Sequence, residues 1–284
     1  MLECVPNFSE GRNTKTVEAI AAVVRATPGV ALLGHEMDSD HNRSVFTFAG
    51  EAEAVVEAAV RAVERAAELI DLSTHVGVHP RVGAADVVPF IPLDGSTMDD
   101  AIAAAHRAGQ EIWQRADVPV YFYGEAALRE SRRRLEQVRR LGFDGAAPDV
   151  GDIPAHPTAG ASVVGAREFL LAFNVDLKTK DINVAQEIAR KIRASSGGFP
   201  YVKAIGLYLE SRQRAQVSMN LTKFSAIPLE DLFHAIASVS PVADCEVIGF
   251  VPQGAFEQDP AFFTRASNFN ESRILEPRLR QLLR

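Results

Sequence analysis

Apolar positions along the chain recur at two spacings, and the switches between them mark out its elements. Leu2 to Val5 is a short apolar run closed by Pro6, a strand followed by the polar turn F-S-E-G-R-N. Asn13 or Thr14 caps a helix whose apolar positions Val17, Ile20, Ala21 and Val24 keep helical spacing until Thr27-Pro28-Gly29 stops it. Val30 to Leu33 reads as a second strand. Arg43 to Phe48 reads as a third, with Val45 and Thr47 on one face and Phe46 and Phe48 on the other. From Glu51 to Ile70 runs the clearest helix, lined by Val55, Val56, Ala59, Val60, Val63, Ala67 and Ile70. A strand at Val87 to Ile91 follows. The order strand, helix, strand, strand, helix, strand is that of a ferredoxin-like sandwich, in which helices cover one face of an antiparallel sheet.

Three further elements read as an appendage: a helix capped by Thr97 or Asp99 and reaching Trp113, a strand at Val118 to Tyr123, and a basic helix from Glu125 to Arg140. Its cluster Arg132, Arg133, Arg134, Arg139 and Arg140 is either a solvated face or an attractor of polyanions. Leu141 to Ser162, rich in Gly, Pro, Asp and Ala, reads as a linker or ordered loop. The earlier order then returns: a strand at Phe169 to Leu177, a helix at Asp181 to Arg193, strands at Val202 to Leu209 and Ala215 to Leu221, a helix at Pro228 to Val239 and a strand at Glu246 to Val251. A last helix spans Arg273 to Leu283. No letter-level repeat accompanies this repeated topology. The expected fold is therefore mixed α/β, an α+β sandwich of two βαββαβ units, residues 1–164 and 165–284, packed with a ligand crevice between them.

Composition changes the picture mainly by exclusion. At 47% hydrophobic and 24% charged, the 284 residues suit a globular protein with a sizeable core. The net charge of −7 argues against general nucleic-acid binding, which needs a basic face. The start M-L-E-C-V-P-N-F has no secretory pattern, and no apolar run of about 18 residues occurs, so a cytoplasmic protein without membrane spans is expected. Cys4 and Cys245, far apart and outside any C-x-x-C, read as buried small hydrophobes.

The candidate chemistry gathers in Thr74 to Phe90, T-H-V-G-V-H-P-R-V-G-A-A-D-V-V-P-F. Its glycines and Pro80 make a rigid bend at the entrance to a strand. His79, followed by Pro80 and Arg81, is a group titrating near neutrality beside a permanent cation; the alternative is that His75 and His79 are ordinary loop histidines. Gly77 and Pro80 forbid the helix that would align the two rings on a metal, and no Glu follows His75 as a zinc-protease motif requires, so no metal site is expected. The acidic run around Glu36, Asp38, Asp40, His41 and Asn42 reads as a hairpin loop or a hard-cation site. Asn42 and Arg43, at the mouth of a strand, can hold a polar substrate. Gly160 and Gly165 have the glycine spacing of a phosphate loop, but Ala166-Arg167 stands where Lys-Ser or Lys-Thr is needed, so no nucleotide site is expected. The segment Gly165, Ala166, Arg167, Glu168, Phe169, Leu170, Leu171, Ala172, Phe173 and Asn174 is either a core strand after a turn or a wrap for a flat heteroaromatic ligand with a charged tail.

The blocks C-V-P-N-F-S-E-G, N-R-S-V-F-T-F, H-V-G-V-H-P-R-V-G-A-A-D-V-V-P-F-I-P, V-Y-F-Y-G-E-A-A, G-A-R-E-F-L-L-A-F-N and A-Q-V-S-M-N-L, in this order over nearly the whole chain, resemble the formiminotransferase family. The resemblance implies a tetrahydrofolate-dependent one-carbon transferase of histidine degradation, moving the formimidoyl group of N-formimidoyl-L-glutamate to tetrahydrofolate in a homodimer of paired ferredoxin-like subdomains. It puts the catalytic histidine at His79 and folate binding on Gly165 to Asn174. Glu36 stands where an aspartate is expected in vertebrate relatives. Arg81 and Arg43 would hold substrate carboxylates. Animal relatives carry a fused cyclodeaminase domain, so here that activity is expected from another protein or not at all. Formyl transfer from N-formylglutamate and non-catalytic folate binding are the competing readings.

Overall fold

The computed structural model describes residues 1–93, 95–141 and 147–282. Residues 142–146 of the expected linker and Leu283 of the expected last helix lie outside the described residues. The chain forms two compact units, Met1–Glu168 and Phe169–Arg284. The first contains β1 (Leu2–Cys4), β2 (Asn7–Phe8), α1 (Thr14–Arg25), β3 (Val30–Asp38), β4 (Arg43–Gly50), α2 (Ala52–Leu69), β5 (Ala85–Pro92), α3 (Met98–Ala116), β6 (Val120–Gly124), α4 (Leu135–Leu141) and β7 (Ser162–Ala166).

Pro6, which has no N–H to donate, divides the amino-terminal strand into β1 and β2. Both halves pair antiparallel with β4 on one side and β5 on the other. With β3 antiparallel to β4, the spatial order β3, β4, β1/β2, β5 is that of a ferredoxin-like sheet. Beyond β5 the sheet continues through β7 and β6, both parallel. Side chains alternate across it. Phe46, Phe48, Val88, Phe90, Phe122 and Val164 join the core with residues of α1, α2 and α3, while Val87, Tyr121, Tyr123 and Val163 pack with Val138 of α4 in a smaller cluster. That alternation puts α4 on the face opposite the three long helices.

The second unit contains β8 (Leu171–Leu177), α5 (Ile182–Ile192), β9 (Val202–Leu209), β10 (Arg214–Leu221), α6 (Leu229–Ala237), β11 (Val242–Ile248), α7 (Gln253–Gln258), α8 (Pro260–Thr264) and α9 (Leu275–Leu282). Its antiparallel sheet runs β11, β8, β10, β9, the same arrangement again. Phe173, Val175, Val217 and Val247 face Ile188, Ile192 and Leu232 of the two helices, and Phe262 and Phe263 close the end of this core.

Several elements differ from the sequence pattern for physical reasons. No continuous helix spans 125–140. A 3-10 turn at Glu130–Arg132 precedes the short α4, because Arg132 is drawn inward onto Asp149 (2.6 Å) and over the Tyr121 ring. The acidic hairpin is shorter than expected: β3 runs on through Glu36, which pairs with Val45, to Asp38. The last strand lies earlier than expected and ends before Gly249, whose φ of +79° breaks an extended run. Within the expected linker and folate segment lies β7. Because it belongs to the first sheet, the compact units divide between Glu168 and Phe169, where 164/165 was expected.

Candidate active site

The bend of 75–84 leaves α2 through a 3-10 turn whose entry is capped by Asp71, its carboxylate accepting from the Ser73 N–H at 2.9 Å. The bend is then tied down from two sides. The Leu72 and Ala84 N–H groups donate to the carbonyls of Thr158 and Ala159 (both 2.8 Å), and the Ala161 N–H donates back to Val82 (3.0 Å). On the other side lies the β3–β4 turn. Asn42, buried and with φ +46°, accepts from the Gly11 N–H (2.9 Å) and donates through Nδ2 to the Val76 carbonyl (2.9 Å). Gly77 lies so close that a Cβ there would sit 2.6 Å from the His41 carbonyl oxygen, so no larger residue fits without moving the bend. The acidic turn and the histidine bend therefore meet at one end of the sheet, with the His41 and His79 rings 5.9 Å apart.

His79, half-buried, lines a depression of ≈ 540 Å³ shared with Leu72, His75, Arg81 and Gly160. Val76 on its wall and Val78, next to His79 in the chain, are 72% and 45% exposed, leaving apolar surface for a ligand to cover. The His79 Nδ1 lies 2.7 Å from the Pro80 carbonyl oxygen. A carbonyl only accepts, so Nδ1 carries the proton and Nε2 the lone pair in the neutral ring. Burial holds the pKa well below the ordinary histidine value, and the positive charges of Arg43 and Arg139 lower it further against the opposing pull of the Pro80 hydrogen bond and Asp86. Near pH 7 the ring is a neutral base.

Arg81 spends its fork on its own loop. Nη2 donates to the carbonyls of Gly77 (2.7 Å) and His79 (2.6 Å), Nε donates to His79 (3.1 Å), and Nη1 contacts Nδ1 of His75. Since a guanidinium only donates, that His75 nitrogen is the unprotonated one.

Deeper in lies Asp86, fully buried. The register of β5 slips between its pairings with Asn7 and Phe8, where Asn7 faces Val87 and Phe8 faces Ala85, so Asp86 is the extra residue of a bulge. A bulge re-aims a side chain. The carboxylate accepts from Arg43 Nη1 (2.7 Å), Arg139 Nη2 (2.5 Å) and the Val82 N–H (2.7 Å), while Arg43 Nε donates to Asn7 (3.0 Å). Burial pushes this pKa up, but the two cations and these hydrogen bonds outweigh it and bring it down to about 2.

Of the residues singled out from sequence, His79, Arg81, Asn42 and Arg43 come together at this end of the sheet, and Glu36 lies further along β3. The segment 165–174 is divided. Gly165 and Ala166 end β7, where a Cβ on Gly165 would sit 2.4 Å from the Tyr123 carbonyl oxygen, and Leu171 to Asn174 begin β8. Between them Arg167 donates to the Glu168 carbonyl (3.0 Å). Asn174 is buried, its Nδ2 on Glu246 (3.0 Å) in a network with Gln216, Asp176 and Arg212. Sequence reasoning gave no role to Asp86 and read Arg139 only as part of a basic cluster, a solvated face or an attractor of polyanions. Asp86 carried a signal, an acid inside the apolar run Ala84 to Ile91 that needs buried partners, but nothing in the letters named the partner on α4. Cys4 and Cys245 are free and buried, and burial raises both thiols, Cys245 to about 12. Among the described residues no group of three or more His, Cys, Asp or Glu side chains is placed to hold a metal, and no helix is long and apolar enough to cross a membrane.

Residues 1–167 match the model of the formiminotransferase domain, N-terminal subdomain, and residues 172–278 that of the formiminotransferase domain. A glutamate formimidoyltransferase of Streptococcus pyogenes serotype M1 is 40% identical over 294 residues, covering 98% of each chain. One of Thermoplasma acidophilum is 36% identical over 98% of this chain and 97% of its own. A formimidoyltransferase-cyclodeaminase of Gallus gallus is 41% identical over 93% of this chain and 52% of its own length. With both subdomains matched in order and relatives of this identity along nearly its full length, the chain belongs to the formiminotransferase family.

Proposed function

We propose that this protein is a glutamate formimidoyltransferase, transferring the formimidoyl group of N-formimidoyl-L-glutamate to tetrahydrofolate to give 5-formimidoyltetrahydrofolate and L-glutamate. The observation that carries the reading is His79: a neutral imidazole, its tautomer set by the Pro80 carbonyl, lining an open depression in a chain 40% identical to a glutamate formimidoyltransferase. N5 of the folate attacks the amidine carbon, and His79 Nε2 takes the N5 proton as the tetrahedral adduct forms. The same nitrogen returns a proton to the amino nitrogen of glutamate as the C–N bond to it breaks. One base near neutrality serves both transfers, worth roughly 10²- to 10⁴-fold in rate. Holding the two substrates together supplies much of the remainder.

Asn42 and Arg81 act through the bend, fixing its path and the direction of the His79 ring, while Arg43 lies close enough to the imidazole for its charge to be felt. The folate is assigned to Gly165 to Asn174 on the strength of the family pattern, and Glu36, further along β3, to the substrate side. The family likeness also favours a cytoplasmic homodimer working in histidine breakdown. Mixing purified protein with both substrates and following the absorbance of 5-formimidoyltetrahydrofolate, or of its acid-cyclised product, tests the reading. Turnover with N-formylglutamate and none with N-formimidoylglutamate would replace it with formyl transfer.

A further inference from the structure

We propose that Arg139 of α4, acting with Arg43 across the buried carboxylate of Asp86, forms a receptor for a carboxylate group of the substrates. The inference rests on the transferase reading above, in which both substrates are acids: the donor carries glutamate carboxylates and the folate ends in a glutamyl tail.

Charge and geometry both lead there. Among the described residues one buried anion, Asp86, faces two largely buried guanidinium groups at 2.7 and 2.5 Å, which leaves this cluster with a cation in excess. A buried charge without a counterion is costly, so evolved interiors rarely keep one unless a ligand completes it. The pairing on Asp86 is also one-sided for Arg139. Its Nη2 holds the carboxylate, whereas its Nε–H is buried and has no acceptor among the described residues. A buried donor left unmatched is worth about as much as a hydrogen bond lost, and an incoming carboxylate would repair it. Arg81 is not the equivalent cation, because it is engaged with two carbonyls of its own loop.

The elements explain why these two arginines converge. Arg43 opens β4 and is anchored by Asn7 of β2; Arg139 reaches in from α4; the β5 bulge turns Asp86 toward both. Their charges are felt at the His79 ring, so an anion docked on them is held within range of the base. Asp86 gathers the two forks onto one carboxylate oxygen, Oδ2, which makes it a positioning residue.

The test uses the full chain with Arg139→Gln and Arg139→Lys, each checked by circular dichroism and melting temperature. The lysine variant keeps the charge, and Asp86 retains Arg43 in both. Arg139→Gln should raise KM for one acid substrate by roughly 10- to 100-fold, the loss of a charge-assisted hydrogen bond. Arg139→Lys should fall between this and the parent. A rise confined to N-formimidoyl-L-glutamate assigns the subsite to the donor, and a rise confined to tetrahydrofolate assigns it to the glutamyl tail. Calorimetric titration with glutarate gives a reading free of turnover: its binding should weaken by a similar factor in Arg139→Gln. If the parent binds glutarate but transfers no formimidoyl group, the transferase reading fails and the receptor stands. If folded Arg139→Gln keeps both KM values and its glutarate affinity, the receptor is overturned.

Discussion

The Nδ1–H of His79 donates to the carbonyl oxygen of Pro80, 2.7 Å away, so a residue and its own neighbour fix which imidazole nitrogen faces outward as a base. Burial and the charges of Arg43 and Arg139 keep that ring neutral, with a pKa well below the ordinary 6.5. A base is active in its unprotonated form, so kcat/KM should stay flat from pH 8 down through 6.5 and fall only at more acid pH. Replacing Arg139 by Gln removes a cation that lowers this pKa, so the acid limb should move to higher pH. A rate profile over pH 5 to 8 for both proteins checks the direction of that move.

His79→Ala should cost roughly 10²- to 10⁴-fold in kcat. Folate binding, measured by calorimetry, should change little, and so should the melting temperature, since the half-buried ring hydrogen-bonds, among the described residues, to a carbonyl of its own loop. Retained turnover would remove the imidazole from the chemistry.

How much of this was visible in the letters depends on range. Helical spacing from Val55 to Ile70 and alternation from Arg43 to Phe48 are local, and both elements formed close to their expected limits. The bend of 74–82 was legible for the same reason: Gly77 and Pro80 restrict the backbone wherever they occur. What could not be read was pairing at a distance. Arg132 and Arg139 sit in a run that scans as a solvated basic helix, yet a buried Asp149 and a buried Asp86 draw them inward. Strand β7 escaped because five small or branched residues, Ser162 to Ala166, become a strand only when β5 and β6 lie on either side of them.

Gly77→Ala should disable the enzyme more than it unfolds it. The added Cβ would meet the His41 carbonyl at 2.6 Å and Cβ of Asn42 at 2.9 Å, both parts of the turn the bend rests on, so the bend must lift. Asn42→Ala reaches the same end by another route. It removes the bridge between Gly11 and Val76 and leaves a buried N–H unpaired, a loss of about 1–3 kcal/mol. In both variants amide exchange should quicken over 74–82 while the strands of the sheet stay protected. Uniform loss of protection would mean global unfolding instead.

Arg81→Lys separates two roles. Lysine keeps the charge but cannot reach two carbonyls with a planar fork, so the Gly77 and His79 tethers are lost. If Arg81 mainly holds the loop, kcat should fall about tenfold or more with KM for the donor nearly unchanged. A rise in that KM at constant kcat would show that the guanidinium leaves its loop to bind substrate.

Asp86→Asn tests whether the buried carboxylate holds this end of the sheet together. Two arginines would lose their common counterion, and breaking a buried pair in this way costs roughly 3–5 kcal/mol. The parent's dependence on pH gives the sharper comparison. The folded pKa of about 2 lies below the ordinary carboxylate value, so the stabilisation is fully present above about pH 4 and is lost as pH falls through about 2. By that linkage the parent's unfolding free energy should drop by about 2 kcal/mol between pH 4 and pH 2 on account of this group alone. The asparagine variant cannot be protonated there, so its urea midpoint should start lower and decline less steeply over that interval. Curves that run parallel from pH 4 to pH 2 would mean that Asp86 is not ionised against its two arginines in the folded protein.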